Sequence, residues 1–289
     1  MLKGSIVALI TPFKNNMLDE AAYSRLIHYH IENGTNGVVP GGTTGESPTL
    51  THNEHKKIIE IAVKECGGKI PVISGTGSNS TQEAVELSKF AEKAGSDALL
   101  VVTPYYNKPT QEGLFQHYKK INDNVGIPII IYNIPSRSVI DMTVETMTRL
   151  YELKNIVGVK DATGDLNRVD QQLKSMGKEF IQLTGNDDNA YEFNKRGGVG
   201  AIGVTANIAA KLSSEFQQAC VNNKSKATEL NELLQPLHAA MFIESNPSPV
   251  KYAASLLKMC SPSVRLPLVD VKEETKKKIS EALKVAKIL

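Results

Sequence analysis

Eight short apolar runs, each trailed by a longer helical pattern, constrain the fold of this chain more than any other feature. They occupy residues 5–10, 37–40, 71–75, 98–102, 128–133, 156–161, 181–185 and 200–204. Most are continuously apolar instead of alternating, as expected of parallel strands buried on both faces. The stretches between them carry helix signals. Tyr23, Leu26, Ile27, His30 and Ile31 share one face over residues 19–32, with Gly34 placed to end the helix. Thr51-x-x-Glu54 and Ser80-x-x-Glu83 have the capping-box pattern, and Gly67 and Gly95 close the helices they open. Strands alternating with helices of this length predict βαβ units. Eight such units within residues 1–222 predict an α/β protein of the (β/α)8 TIM-barrel class. The competing open doubly wound sheet is suggested by Gly75-x-Gly77-x-x-Ser80, which follows a strand but lacks the third glycine of a dinucleotide loop.

After Ser213 only helical patterns remain, and Ile279, Leu283 and Ala286 stripe the last one. No long polar linker intervenes, so the chain divides into a catalytic barrel (1–222) and a C-terminal helical extension packed on it (223–289). The formal net charge is +2, and the densest basic run, Lys276-Lys277-Lys278, follows Glu273 and Glu274. That run reads as a solvated helix face, which argues against a nucleic-acid partner. Cys66, Cys220 and Cys260 are far apart with no CxxC pair, giving neither a disulfide framework nor zinc spacing. The first apolar run is too short for a signal peptide, and none approaches the roughly 18 residues of a membrane span. A cytoplasmic protein without a membrane partner is the expectation.

Residue types suited to chemistry fall just past the carboxyl ends of the predicted strands: Gly41-Gly42-Thr43-Thr44-Gly45-Glu46 after the second, Thr103-Pro104-Tyr105-Tyr106-Asn107 after the fourth, Ile134-Pro135-Ser136-Arg137 after the fifth, Gly185-Asn186-Asp187 after the seventh. In a barrel these ends share one face, where such enzymes build their sites. Lys160 ends the sixth run instead of decorating a helix. A lysine taken out of water favours its neutral amine, which can attack a ketone and form an iminium, an electron sink for the adjoining carbon. The same position also suits a buried ion pair with Asp161 or Asp165. Tyr132 ends the neighbouring strand, where a phenol can move the protons that iminium formation releases and consumes; a core tyrosine is the plainer reading. The glycine-rich loop lets backbone approach a small anion, with Thr43 and Thr44 offering hydroxyls and amides. Arg137 suits a bidentate grip on a carboxylate, although a solvated arginine is the commoner case.

Taken together these motifs resemble the dihydrodipicolinate synthase (4-hydroxy-tetrahydrodipicolinate synthase) family over essentially the whole chain. Gly42-Thr-Thr-Gly-Glu46, Thr103-Pro-Tyr-Tyr-Asn107, Tyr132-Asn-Ile-Pro-Ser-Arg137, Gly158-Val-Lys-Asp-Ala-Thr163, Asn246-Pro-Ser-Pro-Val-Lys251 and Arg265-Leu-Pro267 carry the resemblance. It implies a barrel with a helical extension, assembled as a homotetramer of two tight dimers, and a lyase reaction without external cofactor or metal. The partners implied are pyruvate, bound as a Schiff base on Lys160, and L-aspartate 4-semialdehyde. Thr44, Tyr132 and a neighbouring subunit's Tyr106 would relay protons, and Thr43 and Thr44 would hold the pyruvate carboxylate. Arg137 would hold that of the semialdehyde, and the backbone at Gly185 and Ile202 would shape the pocket. Ser47, His52, His55, Asn79, Glu83 and Tyr105 match residues that bind L-lysine as an allosteric inhibitor in some members, with Pro48 standing where some of those have alanine. For these residues the plainer readings are capping by Glu83 and solvation of His52 and His55. Other pyruvate aldolases, such as N-acetylneuraminate lyase or a 2-keto-3-deoxy sugar-acid aldolase, share the lysine, tyrosine and glycine loop. A non-catalytic small-molecule-binding barrel is the alternative of a different class.

Overall fold

In the computed structural model, which describes residues 2–289, each of the eight apolar runs contributes a parallel strand. We number them β1 (Gly4–Ala8), β2 (Gly37–Val39), β3 (Ile73–Gly75), β4 (Ala98–Val102), β5 (Ile129–Asn133), β6 (Ile156–Asp161), β7 (Ile181–Thr184) and β8 (Gly200–Gly203). Their order around the sheet is β2-β1-β8-β7-β6-β5-β4-β3. The two ends meet where Val38 bridges Val72, Val38 N–H donates to the Pro71 carbonyl at 3.0 Å and Gly75 N–H to that of Pro40 at 2.8 Å. The sheet therefore curls into a barrel, and the open doubly wound alternative is set aside.

Strand ends differ from expectation by a residue or two. β1 stops at Ala8, because the Ile10 N–H donates to the Asn207 side chain at 3.0 Å instead of to a neighbouring strand.

The two-residue period of each strand sorts its side chains. Ile6, Val39, Leu100, Ile130, Tyr132, Leu183 and Ile202 face inward as one cluster. Leu99, Val101, Ile129, Ile131 and Val159 face outward against the helices. The helices are α1 (Glu20–Glu32), α2 (His52–Cys66), α3 (Thr81–Ala94), α4 (Gln111–Asn122), α5 (Val144–Tyr151), α6 (Asn167–Met176), α7 (Ala190–Lys195) and α8 (Ala210–Asn222). Thr51 and Glu54 complete their capping box at α2, and Gly67 ends that helix at φ 53°. At α3 the box is only half made: Ser80 caps the Glu83 N–H, but the Glu83 carboxylate turns elsewhere.

The tail forms α9 (Lys224–Ala240), α10 (Ser248–Leu256) and α11 (Glu273–Val285). Leu230, Leu234, Val250, Ala253, Ile279 and Leu283 pack in one cluster with Val7, Leu26, Ala201 and Phe216, so the extension shares its core with the β1–β8 side of the barrel. A small hairpin, Phe13–Lys14 against Met17–Leu18, was not anticipated. Its signal was the Asn15-Asn16 pair, both at positive φ (53° and 61°), as a two-residue hairpin turn requires. Among the described residues no helix is long and apolar enough to cross a membrane.

Candidate active site

Lys160 and Tyr132 are each the penultimate residue of their strand and lie opposite each other in the β5–β6 ladder. Both face the barrel interior, 5% and 6% exposed, with the lysine Nζ 4.1 Å from the centre of the tyrosine ring. Lys160 has no carboxylate partner among the described residues. Asp161, one residue on, faces the other side of the sheet, where its Oδ2 accepts from Arg168 Nε at 2.9 Å and from Gln172 Nε2 at 3.1 Å. Its Oδ1 accepts from the Thr163 amide and hydroxyl at 2.9 and 2.6 Å. Asp165 accepts from the Asn167 amide at 3.0 Å. The ion-pair reading of Lys160 thus fails for a geometric reason: the period of the strand sends Lys160 and Asp161 to opposite faces.

Gly185, just past β7, makes room for the lysine stem. A methyl group there would lie 3.0 Å from Lys160 Cε and 2.7 Å from Ala162 Cβ. Ile202 is fully buried in the same interior cluster.

The glycine-rich loop after β2 turns tightly, starting at Gly41 with φ 70° and closing through Gly45 N–H to Gly42 O and Glu46 N–H to Thr43 O, both 3.0 Å. The Thr43 and Thr44 amides donate to no protein acceptor among the described residues, so both remain available to an anion. The Thr44 hydroxyl is buried and accepts from Asn246 Nδ2 at 3.0 Å. Glu46 ends the loop at φ 56°, and its fully buried carboxylate meets Lys251 Nζ at 2.7 Å and the Arg265 N–H at 3.0 Å. Lys251 and Arg265 also lie over the Phe13 ring, at 4.3 and 4.1 Å from its centre. Three residues of the extension thereby fix the loop. Sequence reasoning gave Asn246, Lys251 and Arg265 no role, since nothing local in the sequence links them to a loop some 200 residues away in the chain.

Two expected site residues stand apart from this cluster. Tyr106 is 88% exposed and sits at φ 73° in the turn after β4. Arg137 is exposed in the short helical turn Pro135–Ser138 after β5. Among the described residues no three His, Cys, Asp or Glu side chains gather as a metal ion would need.

The model of the dihydrodipicolinate synthetase family matches residues 1–286. The chain belongs to that family. It is 69% identical over 293 residues to the 4-hydroxy-tetrahydrodipicolinate synthase of Pelagibacter ubique, covering 100% of both chains. The dihydrodipicolinate synthase of Acinetobacter baumannii, solved in complex with pyruvate, is 44% identical with a TM-score of 0.98 and full coverage of both chains. That of Cyanidioschyzon merolae, solved with lysine bound, is 33% identical with a TM-score of 0.96 over 99% of each. The rival aldolase and binding-barrel readings draw no support from these matches.

The residues expected from the sequence to form a lysine site sit between the starts of α2 and α3 and the turn after β4. His52 Nε2 meets Glu83 Oε1 at 2.6 Å, and the other Glu83 oxygen accepts from the Ser78 hydroxyl. The Ser78 bond first, and His52 after it, hold the Glu83 carboxyl below its usual range. Asn79 accepts from Asn107 Nδ2 at 2.8 Å through its carbonyl, and half-buried Tyr105 borders Glu83, Ser78 and Asn79. His55 is not solvated: it is 6% exposed, and its Nε2 lies 2.7 Å from the Gly75 carbonyl. Burial lowers its pKa, so the neutral ring donates through Nε2–H. Ser47 opens the turn Ser47–Thr49 that precedes α2.

Proposed function

We propose that this barrel condenses pyruvate with L-aspartate 4-semialdehyde to give 4-hydroxy-tetrahydrodipicolinate, on the route to lysine and meso-diaminopimelate. The observation that carries the reading is the inward pair of Tyr132 and Lys160, the lysine buried without a carboxylate partner. The Lys160 amine attacks the ketone carbon of pyruvate and water leaves, giving the iminium. Loss of a methyl proton turns the iminium into an enamine, whose carbon attacks the semialdehyde's aldehyde group. The substrate's own amine then attacks the iminium carbon, closes the ring and releases Lys160.

Thr43 and Thr44 hold the pyruvate carboxylate through their unpaired amides and through their hydroxyls, and the backbone at Gly185 and Ile202 shapes its pocket. Tyr132, Thr44 and Tyr106 relay the protons, the last supplied by a neighbouring copy, as its exposure in its own chain supports. This makes the working unit a tight dimer, two of which form the homotetramer. Arg137, exposed at the rim, grips the carboxylate of the semialdehyde. The catalytic barrel comprises residues 1–222 and the extension residues 223–289, and the protein works in the cytoplasm. L-lysine binds at Ser47, His52, His55, Asn79, Glu83 and Tyr105. There Glu83 exchanges His52 for the ligand's α-ammonium, and Tyr105 passes the effect to Tyr106 next in sequence.

Borohydride reduction in the presence of pyruvate tests the core of the reading. A stable adduct is expected on Lys160 and lost in Lys160→Ala; an adduct on any other lysine refutes the mechanism. Arg137→Ala is expected to cost semialdehyde turnover roughly 10–150-fold while sparing the adduct.

A further inference from the structure

The outer face of the β5–β6 pair carries buried polar residues that the reaction itself does not use. Asn133 and Asp161 lie opposite each other, one step beyond Tyr132 and Lys160, and are 0% and 5% exposed. Asn133 Nδ2 donates to Asp141 Oδ1 at 2.7 Å, and its Oδ1 accepts the Met142 N–H at 3.0 Å. Arg168, on α6, donates from Nε to Asp161 at 2.9 Å and from Nη2 to the Met142 carbonyl at 2.7 Å, with Nη1 3.4 Å from Asp141 Oδ2. One guanidinium therefore joins the end of the lysine-bearing strand to residues 141 and 142. Those residues end the loop whose exposed tip holds Arg137, and Asn133 begins it. Within the loop the Ser138 hydroxyl is 2.9 Å from the Ile134 carbonyl and 3.0 Å from that of Ile140. Val139 sits at φ 68°, a region β-branched residues avoid and keep only where the surroundings impose it.

We propose that Arg168 is a positioning residue for the second substrate: through Asp141 and Met142 it sets where the Arg137 loop stands relative to Lys160. The inference rests on the reading that Arg137 grips the semialdehyde's carboxylate. Its physical basis is the planar fork, which serves three acceptors in fixed directions as a lysine ammonium cannot. The loop is anchored at both ends and braced within by Ser138, so loosening one anchor shifts it as a unit, Arg137 included, while Lys160 keeps its place in the ladder.

The test is a kinetic comparison of Arg168→Lys and Asp141→Ala, each alone and combined with Arg137→Ala. Arg168→Lys keeps a positive charge beside Asp161. Asp141 is half exposed, so Asp141→Ala leaves no buried charge unpaired and carries the test if the Arg168 variant fails to fold. Each single change is expected to raise the semialdehyde KM about tenfold, as misplacing a substrate-holding group does. Pyruvate trapping on Lys160 is expected to stay within about twofold of wild type, and in the Arg137→Ala background the added change in semialdehyde KM should shrink to about twofold or less. Equal factors with and without Arg137, pyruvate trapping that falls in parallel, or an unchanged KM would overturn the proposal. Failure of the functional reading itself looks different: wild type gives no adduct on Lys160, or Arg137→Ala leaves semialdehyde kinetics untouched.

Discussion

Replacing Lys251 by Met should destabilise the protein and loosen its glycine-rich loop together. The ammonium and the Glu46 carboxylate are both fully buried, 2.7 Å apart. Burial pulls the Lys251 pKa down, against the opposing pull of Glu46. Methionine fills similar volume beside Phe13 but leaves the carboxylate with only the Arg265 N–H. Breaking a buried pair from one side costs about 3–5 kcal/mol. Unfolding entropy of about 2.1 cal/mol/K per residue over 289 residues gives about 0.6 kcal/mol/K, so the melting temperature should fall by about 5–8 °C. The double variant Lys251→Met with Glu46→Gln removes both charges, keeps an acceptor for the Arg265 N–H and should regain most of the loss. Thermal unfolding followed by circular dichroism reads the stability, and the pyruvate concentration giving half-maximal borohydride trapping reads the loop. Glu46 lies two residues past Thr44, so half-saturation should rise in the single variant and recover in the double. A fall of less than about 2 °C, well under what an orphaned buried charge costs, would refute the reasoning. So would a double variant no more stable than the single.

Other perturbations probe other contacts. In Gly185→Ala a methyl meets Lys160 Cε at 3.0 Å and Ala162 Cβ at 2.7 Å, so pyruvate trapping should slow by about tenfold or more; an unchanged rate would mean the lysine does not need that space. Asn246→Ala frees the Thr44 hydroxyl from its donor and should raise the pyruvate half-saturation several-fold, while Arg137→Ala leaves it alone; identical responses would deny Asn246 a part in pyruvate binding. Hydrogen bonds from Arg265, more than any other influence, hold the Glu54 pKa down to about 2, against 4.5 for a free glutamate. A folded pKa below the unfolded one contributes stability above pH 4.5 that is lost as pH falls towards 2. The melting-temperature gap between wild type and Arg265→Gln should therefore narrow across that window, and a constant gap would show that Glu54 is not responsible.

The elements legible in the sequence were those fixed by local pattern. All eight strands declared themselves through apolar runs, and the caps at Thr51 and Ser80 through spacing. Lys160 and Tyr132 were legible as neighbours because each ends an apolar run and strands five and six must pair. That Lys160 does not take Asp161 as its partner was legible in the same pattern, because consecutive residues of one strand point to opposite faces, although the sequence reading had left that pair open. What escaped entirely were contacts made by the extension. A hydrogen bond from Asn246 to Thr44, or an ion pair from Lys251 to Glu46, spans about 200 residues and leaves no periodic trace. The Glu83 side chain misled in a different way: its spacing from Ser80 fits a capping box, yet His52 and Ser78, on other elements, claim its carboxylate.

The division of labour along β5 and β6 follows from the two-residue period of the strands. Adjacent residues point to opposite faces, so an amine with no carboxylate partner can sit one residue from a carboxylate that is fully bonded. Tyr132 and Lys160 face the barrel interior, while Asn133 and Asp161 tie the strand ends to α6 and the Arg137 loop. The arrangement answers a conflict inherent in the proposed chemistry. A Schiff-base lysine is most useful where no carboxylate holds it as an ammonium, yet the strand that bears it must be rigid, and rigidity at a barrel rim comes from buried polar bonds. Placing those bonds on the outer face satisfies both demands. Moving a carboxylate inward, as Leu183→Asp would beside Lys160 in the β6–β7 ladder, should block pyruvate trapping even in a variant that still folds.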